Sequence, residues 1–195
     1  MWRDVDLEAR NLVGALKQLG FAQDYGYAMT GFGIGLGSNA ASRPETPLML
    51  ASRLMLRAIK AAGYDQGAAI IPIPSSTHTR PGSDFVGGRI ARSIELRDPN
   101  YMALPMLHFS RVVPTSSASR RRTETALRVN LRAADMPMPP RRVVLLDDVM
   151  TTGAHIRAAV SFLAQRGIRV EDCFVFARQA VNCPENMFKV PVLEL

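Results

Sequence analysis

A chain of 195 residues, 47% of them hydrophobic, has enough apolar surface for one domain with a core but is too short for two generous ones, and its composition excludes a disordered protein. No apolar run reaches the roughly 18 residues that a membrane span needs, and the charged start Met1-Trp2-Arg3-Asp4 leads into no signal-peptide core, so a cytoplasmic protein with no membrane segment is expected. The formal charge of +7 sits in one stretch: residues 89 to 142 hold eleven arginines against four acidic residues, while the remainder balances at thirteen of each sign. Such a stretch suits an anionic ligand or nucleic acid, and its bland reading is a solvated basic face.

In chain order, Leu7, Leu12, Leu16 and Leu19 follow a helical face, with Gly20 as a stop. Residues 30 to 47, rich in Gly, Ser, Asn and Pro, read as a loop. Gly31, Gly33, Gly35 and Gly37 within it do not match a phosphate-binding Gly-x-x-x-x-Gly-Lys pattern. Pro47 to Ala62 reads as a helix with Leu50, Leu54, Ala58 and Ala61 inward, ended by Gly63. Ala68 to Ile73 is a short buried strand, followed by a loop at Pro74-Ser75-Ser76. Val86, Ile90 and Ile94 mark a helix capped by Ser83 or Asp84. Met102 to Leu107 reads as a strand and Val143 to Leu146 as another. The helix that follows has Ile156, Val160 and Leu163 on one face and Gly167 as its stop. Ile168 to Val170 and Cys173 to Ala177 read as closing strands. Met49, Met55, Met102 and Met106 read as core or loop filler.

Strands alternating with helices predict an α/β domain with a mostly parallel sheet, whose ligands bind at the carboxyl ends of the strands. The loops after Ile73 and after Leu146 both lie there. Cys173 and Cys183 form no Cys-x-x-Cys pair and read as reduced thiols, Cys173 buried and inert, and no His and Cys share zinc-ligand spacing.

The segment Val143 to His155 reads as one device. Four apolar residues make a strand, Asp147 and Asp148 stand at its end, and Val149-Met150-Thr151-Thr152-Gly153 turns into a helix beginning Ala154-His155. Backbone N–H groups at a helix N-terminus favour an anion, Thr151 and Thr152 add hydroxyl donors, and Gly153 lets the backbone approach a phosphate. Paired carboxylates beside such a cradle repel a bare phosphate, but they suit the hydroxyls of a sugar phosphate, or a metal.

This segment resembles the signature with which type I phosphoribosyltransferases bind 5-phosphoribosyl-1-pyrophosphate (PRPP). The resemblance implies a Rossmann-like sheet flanked by helices over residues 46 to 195, with residues 1 to 45 as a small hood-like region. It implies ribose hydroxyls on Asp147 and Asp148 and the 5-phosphate on the turn from Val149 to His155. Ser75, Ser76, Thr77, His78 and Arg80 resemble the family's pyrophosphate loop. Mg²⁺ would then be held indirectly at Asp147 and Asp148, through ribose or water. Arg120-Arg121-Arg122 and Val129 to Arg132 are similar to the arginine-rich stretch of the ComF-like branch, and Arg111 with Arg120, Arg121 and Arg122 would supply catalytic charge from a lid spanning Phe109 to Thr125.

The implied activity is pentosyl transfer in nucleotide metabolism, with release of pyrophosphate. The chain departs from the family at His155, where Thr is usual, at Thr151, where purine-salvage enzymes carry an Asp, and in a pyrophosphate loop without Lys. It also lacks the branch's cysteine-rich zinc module. The alternative is therefore a catalytically divergent effector that binds PRPP, a nucleotide or nucleic acid, related to DNA uptake or to retron-type defence. A homodimer or a larger protein complex fits either reading.

Overall fold

The computed structural model describes residues 12–14, 16–17, 47–113, 124–134 and 140–178. Most of the expected hood, the closing tail with Cys183, and Arg120, Arg121 and Arg122 of the expected lid lie outside the described residues.

Among the described residues four strands form a parallel sheet: β1 (Ala69–Pro72), β2 (Met102–Ala103), β5 (Val143–Met150) and β6 (Val170–Arg178), in the order β2-β1-β5-β6. Two short strands, β3 (Leu107–Phe109) and β4 (Leu131–Ala133), pair antiparallel in a separate ribbon. The helices are α1 (Pro47–Ile59), α2 (Val86–Arg97), α3 (Glu124–Asn130) and α4 (Ala154–Ala164). None of the described helices is long and apolar enough to cross a membrane.

Alternation along the central strands builds two cores, because successive side chains of a strand point to opposite faces. Ala69, Ile71, Val143 and Leu145 pack with Ile156, Ala159, Phe162 and Leu163 of α4 and with Leu107, Leu127 and Leu131. Ile70, Val144 and Leu146 pack on the other face against Met55, Ile59, Ile90 and Ile94 of α1 and α2. The apolar run of β1 and of the first half of β5 is thus the mark of strands covered on both sides.

Several boundaries differ from the sequence-based expectation. The stretch from Met102 to Leu107 is not one strand; Leu104-Pro105-Met106 separates β2 from β3, which belong to different sheets. The closing strands are one strand, β6, whose Glu171 and Asp172 are exposed as an edge strand permits. β5 does not stop at Leu146; it runs through Asp147 and Asp148 to Met150 because β6 continues beside it, pairing Asp147 with Val175 and Met150 with Arg178. Neither Ser83 nor Asp84 caps α2. Phe85 is the capping residue without a side-chain bond, and Ser83 is engaged elsewhere.

In α1 the buried residues are Leu50, Ala51, Ser52, Met55 and Ile59, whereas Ala58 and Ala61 are exposed. The helix passes at Lys60 into a π-type turn, Lys60–Tyr64, where Gly63 has φ 92° and Tyr64 becomes the buried residue. Of the methionines, Met55 and Met106 are buried while Met49 and Met102 are exposed. In α4 Ile156 and Leu163 are buried, but Val160 is 37% exposed and lies off their face. Gly67 (φ 99°) admits no side chain, since a Cβ there would stand 2.1 Å from the carbonyl oxygen of Asn100.

Candidate functional site

The strand order reverses direction between β1 and β5. From β1 the chain crosses through α2 to β2 on one side, and β5 then returns to the other side of β1 before α4 leads outward to β6. At such a switch point the loops leaving the carboxyl ends of the two strands diverge and open a crevice. Here the register is direct, with Ile71 opposite Leu145 and Pro72 opposite Leu146, and the Ile73 amide donates to the Leu146 carbonyl at 2.8 Å. The loop after β1, a ligand contact by sequence, therefore leaves the sheet beside the step from Leu146 to Asp147, while β5 runs on to Met150 before the turn that sequence also chose.

On the β5 side, Asp147 is 7% exposed and its Oδ1 accepts the Asp148 amide at 2.9 Å. Burial, then the neighbouring charge of Asp148, pushes its carboxyl from 3.8 up to about 7. Asp148 keeps 22% of its side chain exposed and pairs with Lys17 Nζ at 3.2 Å. Val149 and Met150 complete the strand, Met150 inside the α4-side core. Thr151 is half-buried and Thr152 exposed, and the Thr152 hydroxyl accepts the Ala154 amide at 3.4 Å.

Gly153 is buried at φ 73° as the residue that starts α4, a left-handed conformation that favours glycine. Ala154 is buried, and the ring of His155 lies 5.9 Å from that of Phe109. Thr151 through His155 thus form the opening of an eleven-residue helix above the carboxyl end of the sheet.

On the β1 side, Ser75 and Thr77 are exposed, with 3.3 Å between their hydroxyl oxygens. Arg80 is also exposed. His78 is turned inward: it is 3% exposed, its ring lies 4.3 Å from Phe85, and Nδ1 meets the Ser83 hydroxyl at 2.7 Å. Its Nε2 and the Nδ1 of His108 are buried without a hydrogen-bond partner. Desolvation, reinforced by His108, holds the His78 imidazole below its ordinary pKa. The loop is stitched to β3 and the residues after it: the amides of Phe109 and Val113 donate to the carbonyls of His78 and Ser76. His78 consequently shapes the loop from beneath, while Ser75 and Thr77 face outward.

Arg111 is exposed and its Nε donates to Asn130 Oδ1 at 3.0 Å. The basic stretch of the sequence does not become one patch among the described residues. Arg97 binds Ser52 and the Met49 carbonyl on the α1 side, Arg132 binds carbonyls of Val129 and Leu131 on the opposite side of the sheet, and Arg142 pairs with Glu171.

Lys17 is the site residue that sequence reasoning missed. Leu16 and Leu12 are buried, and Leu16 packs in the α1–α2 core. The Leu16 carbonyl accepts from Arg89 at 3.4 Å, which sets Lys17 beside Asp148. The helical spacing of Leu12 and Leu16 was a visible signal for this segment, but nothing in the sequence pointed it at the acidic pair.

The donor set bears on Mg²⁺. Among the described residues no group of three or more His, Cys, Asp or Glu is placed to hold a metal ion. Mg²⁺ prefers six oxygen ligands and commonly keeps waters and substrate phosphates among them. Asp148, alone or with Asp147, fits an ion carried by its ligand and water, and does not form a protein cage. A scan against family models finds no match for this chain, and a search of curated proteins finds none.

Proposed function

We propose that this protein binds PRPP and transfers its 5-phosphoribosyl group to an acceptor with release of pyrophosphate, on a type I phosphoribosyltransferase-like fold. The observation that carries the reading is the switch point between β1 and β5, where one strand carries an acidic pair and leads to a glycine-started helix and its neighbour leads to a hydroxyl-lined loop. A sugar phosphate with a second anionic group matches each part. Ribose hydroxyls donate to Asp148 and, behind it, Asp147. The 5-phosphate meets the backbone of Thr151 to His155 at the positive end of α4. The leaving diphosphate faces Ser75 and Thr77, with Arg80, and with Arg111 approaching from beyond β3.

In the transfer, the bond from C1 of the ribose to the diphosphate oxygen breaks and a bond from C1 to the acceptor forms. Positive charge develops on the ribose ring and negative charge on the departing diphosphate. Mg²⁺ bound with the ligand would neutralise part of the diphosphate charge. The protein's own residues orient the ribose and hold the phosphate.

A second reading, a PRPP- or nucleotide-binding effector without transfer, is favoured by the loop after β1, where His78 is withdrawn and residues 73 to 79 carry no lysine or arginine. Calorimetry with PRPP and Mg²⁺, beside a pyrophosphate-release assay across candidate acceptors, tests both. Binding with release supports transfer, binding without release with any acceptor supports the effector, and absence of binding rejects the site.

A further inference from the structure

We infer that Lys17 is a further cation, beside Arg80 and Arg111, that meets the diphosphate of the bound ligand, an assignment that rests on the PRPP reading of the site. Its Nζ stands 3.2 Å from Asp148 Oδ2, and more than a third of the side chain remains in solvent. The backbone beneath it is fixed. Leu16 is 5% exposed, the Lys17 amide donates to the Val13 carbonyl at 3.1 Å, and Arg89 holds the Leu16 carbonyl. Lys17 is therefore a placed cation on an anchored backbone, and its ammonium, with three donors, rests against Asp148.

The charge distribution of the crevice explains why such a cation is needed. The loop after β1 offers hydroxyls from Ser75 and Thr77 but no positive side chain before Arg80. The turn after β5 offers neutral N–H groups, suited to one phosphate. A diphosphate on C1 sits next to the C2 hydroxyl, one of the hydroxyls that the acidic pair would accept. An ammonium already on Asp148 is then within a side chain's swing of the diphosphate oxygens, while the 5-phosphate lies across the ring at the start of α4. In the free protein Lys17 offsets the charge of the acidic pair, and in the complex it shares itself with the ligand.

Calorimetric titration in Mg²⁺ of wild type, Lys17→Met and Lys17→Arg, each against PRPP and against ribose 5-phosphate, tests the assignment. Ribose 5-phosphate keeps the hydroxyls and the 5-phosphate but lacks the diphosphate. Lys17→Met is expected to lose about tenfold or more in PRPP affinity while ribose 5-phosphate changes by less than about threefold, the difference expected of one charged hydrogen bond. Lys17→Arg should recover most of the loss. Thermal unfolding of the three proteins checks that the fold is shared.

Unchanged PRPP affinity in Lys17→Met would overturn the assignment. So would an equal loss on both ligands, which would mean that Lys17 only arranges Asp148. A gain on both ligands would show that Lys17 merely competes for the carboxylate, and would also overturn it. Wild-type protein that binds neither ligand would reject the site reading itself, a failure visible before any variant is made.

Discussion

Two acidic pairs sit on neighbouring strands of this sheet, and their surroundings are opposite. Glu171 and Asp172 lie near the start of β6, at the amino end of the sheet. There Asp172 accepts the Tyr64 hydroxyl at 2.5 Å, Glu171 pairs with Arg142 at 3.5 Å, and the Arg142 guanidinium stands 4.4 Å over the Tyr64 ring. The Tyr101 hydroxyl closes the cluster on the Tyr64 carbonyl at 2.6 Å. Burial and Asp172 together hold the Tyr64 phenol well above its ordinary range, so it remains a donor. Asp147 and Asp148, at the carboxyl end, have one another and Lys17.

A pair supplied with local donors is a structural joint. A buried pair short of positive charge costs stability, and proteins keep such arrangements where a ligand completes them. In sequence both are an aliphatic residue followed by two acids. The direction of the parallel strands is what sorts them.

The largest expected difference between the pairs is in ligand binding. Asp148→Asn removes a charged acceptor for ribose hydroxyls and should weaken PRPP by about 1.5–3 kcal/mol. Asp147→Asn added to it should abolish measurable binding. Asp172→Asn should leave PRPP affinity unchanged. Calorimetry on these variants decides the comparison, and loss of affinity in Asp172→Asn as deep as in Asp148→Asn would erase the distinction drawn here.

Stability against pH separates the pairs next. The Asp147 carboxyl titrates at about 7 in the fold, against 3.8 for the ordinary group. Between those values the folded protein holds a proton that the unfolded chain has released, so stability falls as pH rises from about 4 to about 7. Below that window both states are protonated and the dependence vanishes. Three pH units set a ceiling of roughly 4 kcal/mol, and relaxation around the charged pair lowers the observed value. Asp147→Asn imitates the protonated group and should flatten this slope in denaturant titrations. A variant with the wild-type slope would show that Asp147 is charged in the fold throughout.

The contrast also shows which features can be read from a sequence. Between Val143 and His155 the strand start and the helix start were legible because a contiguous apolar run and a left-handed Gly153 are local demands, but the strand's continuation through Asp147 to Met150 was not, because it depends on pairing with β6. The cores followed from unbroken apolar runs. Lys17 was not legible, because its meeting with Asp148 depends on how Leu16 docks in the core shared with α1 and α2. The inward turn of His78 places its ring against Phe85, a contact that no local spacing announces. Strand β6 looked broken because Glu171 and Asp172 interrupt its apolar pattern, yet an exposed edge strand accommodates both and Tyr64 and Arg142 receive them. Likewise the arginines of residues 89 to 142 read as one basic stretch, although chain crossings carry Arg97 and Arg132 to opposite faces of the sheet.

A smaller effect is expected at Tyr64, and it should fall on stability alone. Tyr64→Phe keeps the buried ring and deletes the hydroxyl that donates to Asp172. Asp172 is exposed, so water replaces part of the lost bond, and a cost of about 1–2 kcal/mol is expected. Chemical denaturation measures it, with PRPP affinity unchanged as the control. If affinity fell instead, the two ends of the sheet would be coupled, and the division between joint and site would have to be redrawn.

Arg142→Gln should have the smallest effect and the most specific signature. The guanidinium makes a half-exposed ion pair with Glu171, donates to the Gly63 carbonyl at 3.3 Å, and covers the Tyr64 ring. Partly exposed ion pairs contribute about 0–1 kcal/mol because water screens them. The stacked guanidinium adds about 0.5–1 kcal/mol, which salt affects far less. Glutamine loses both and the bond to the Gly63 carbonyl, whereas Glu171→Gln loses only the pair. The stability difference between Arg142→Gln and Glu171→Gln should therefore persist in high salt, while the cost of Glu171→Gln fades. If both variants became equal to wild type at high salt, the contacts of Arg142 with the Tyr64 ring and the Gly63 carbonyl would add nothing, and the joint at the amino end would rest on the tyrosine hydroxyls.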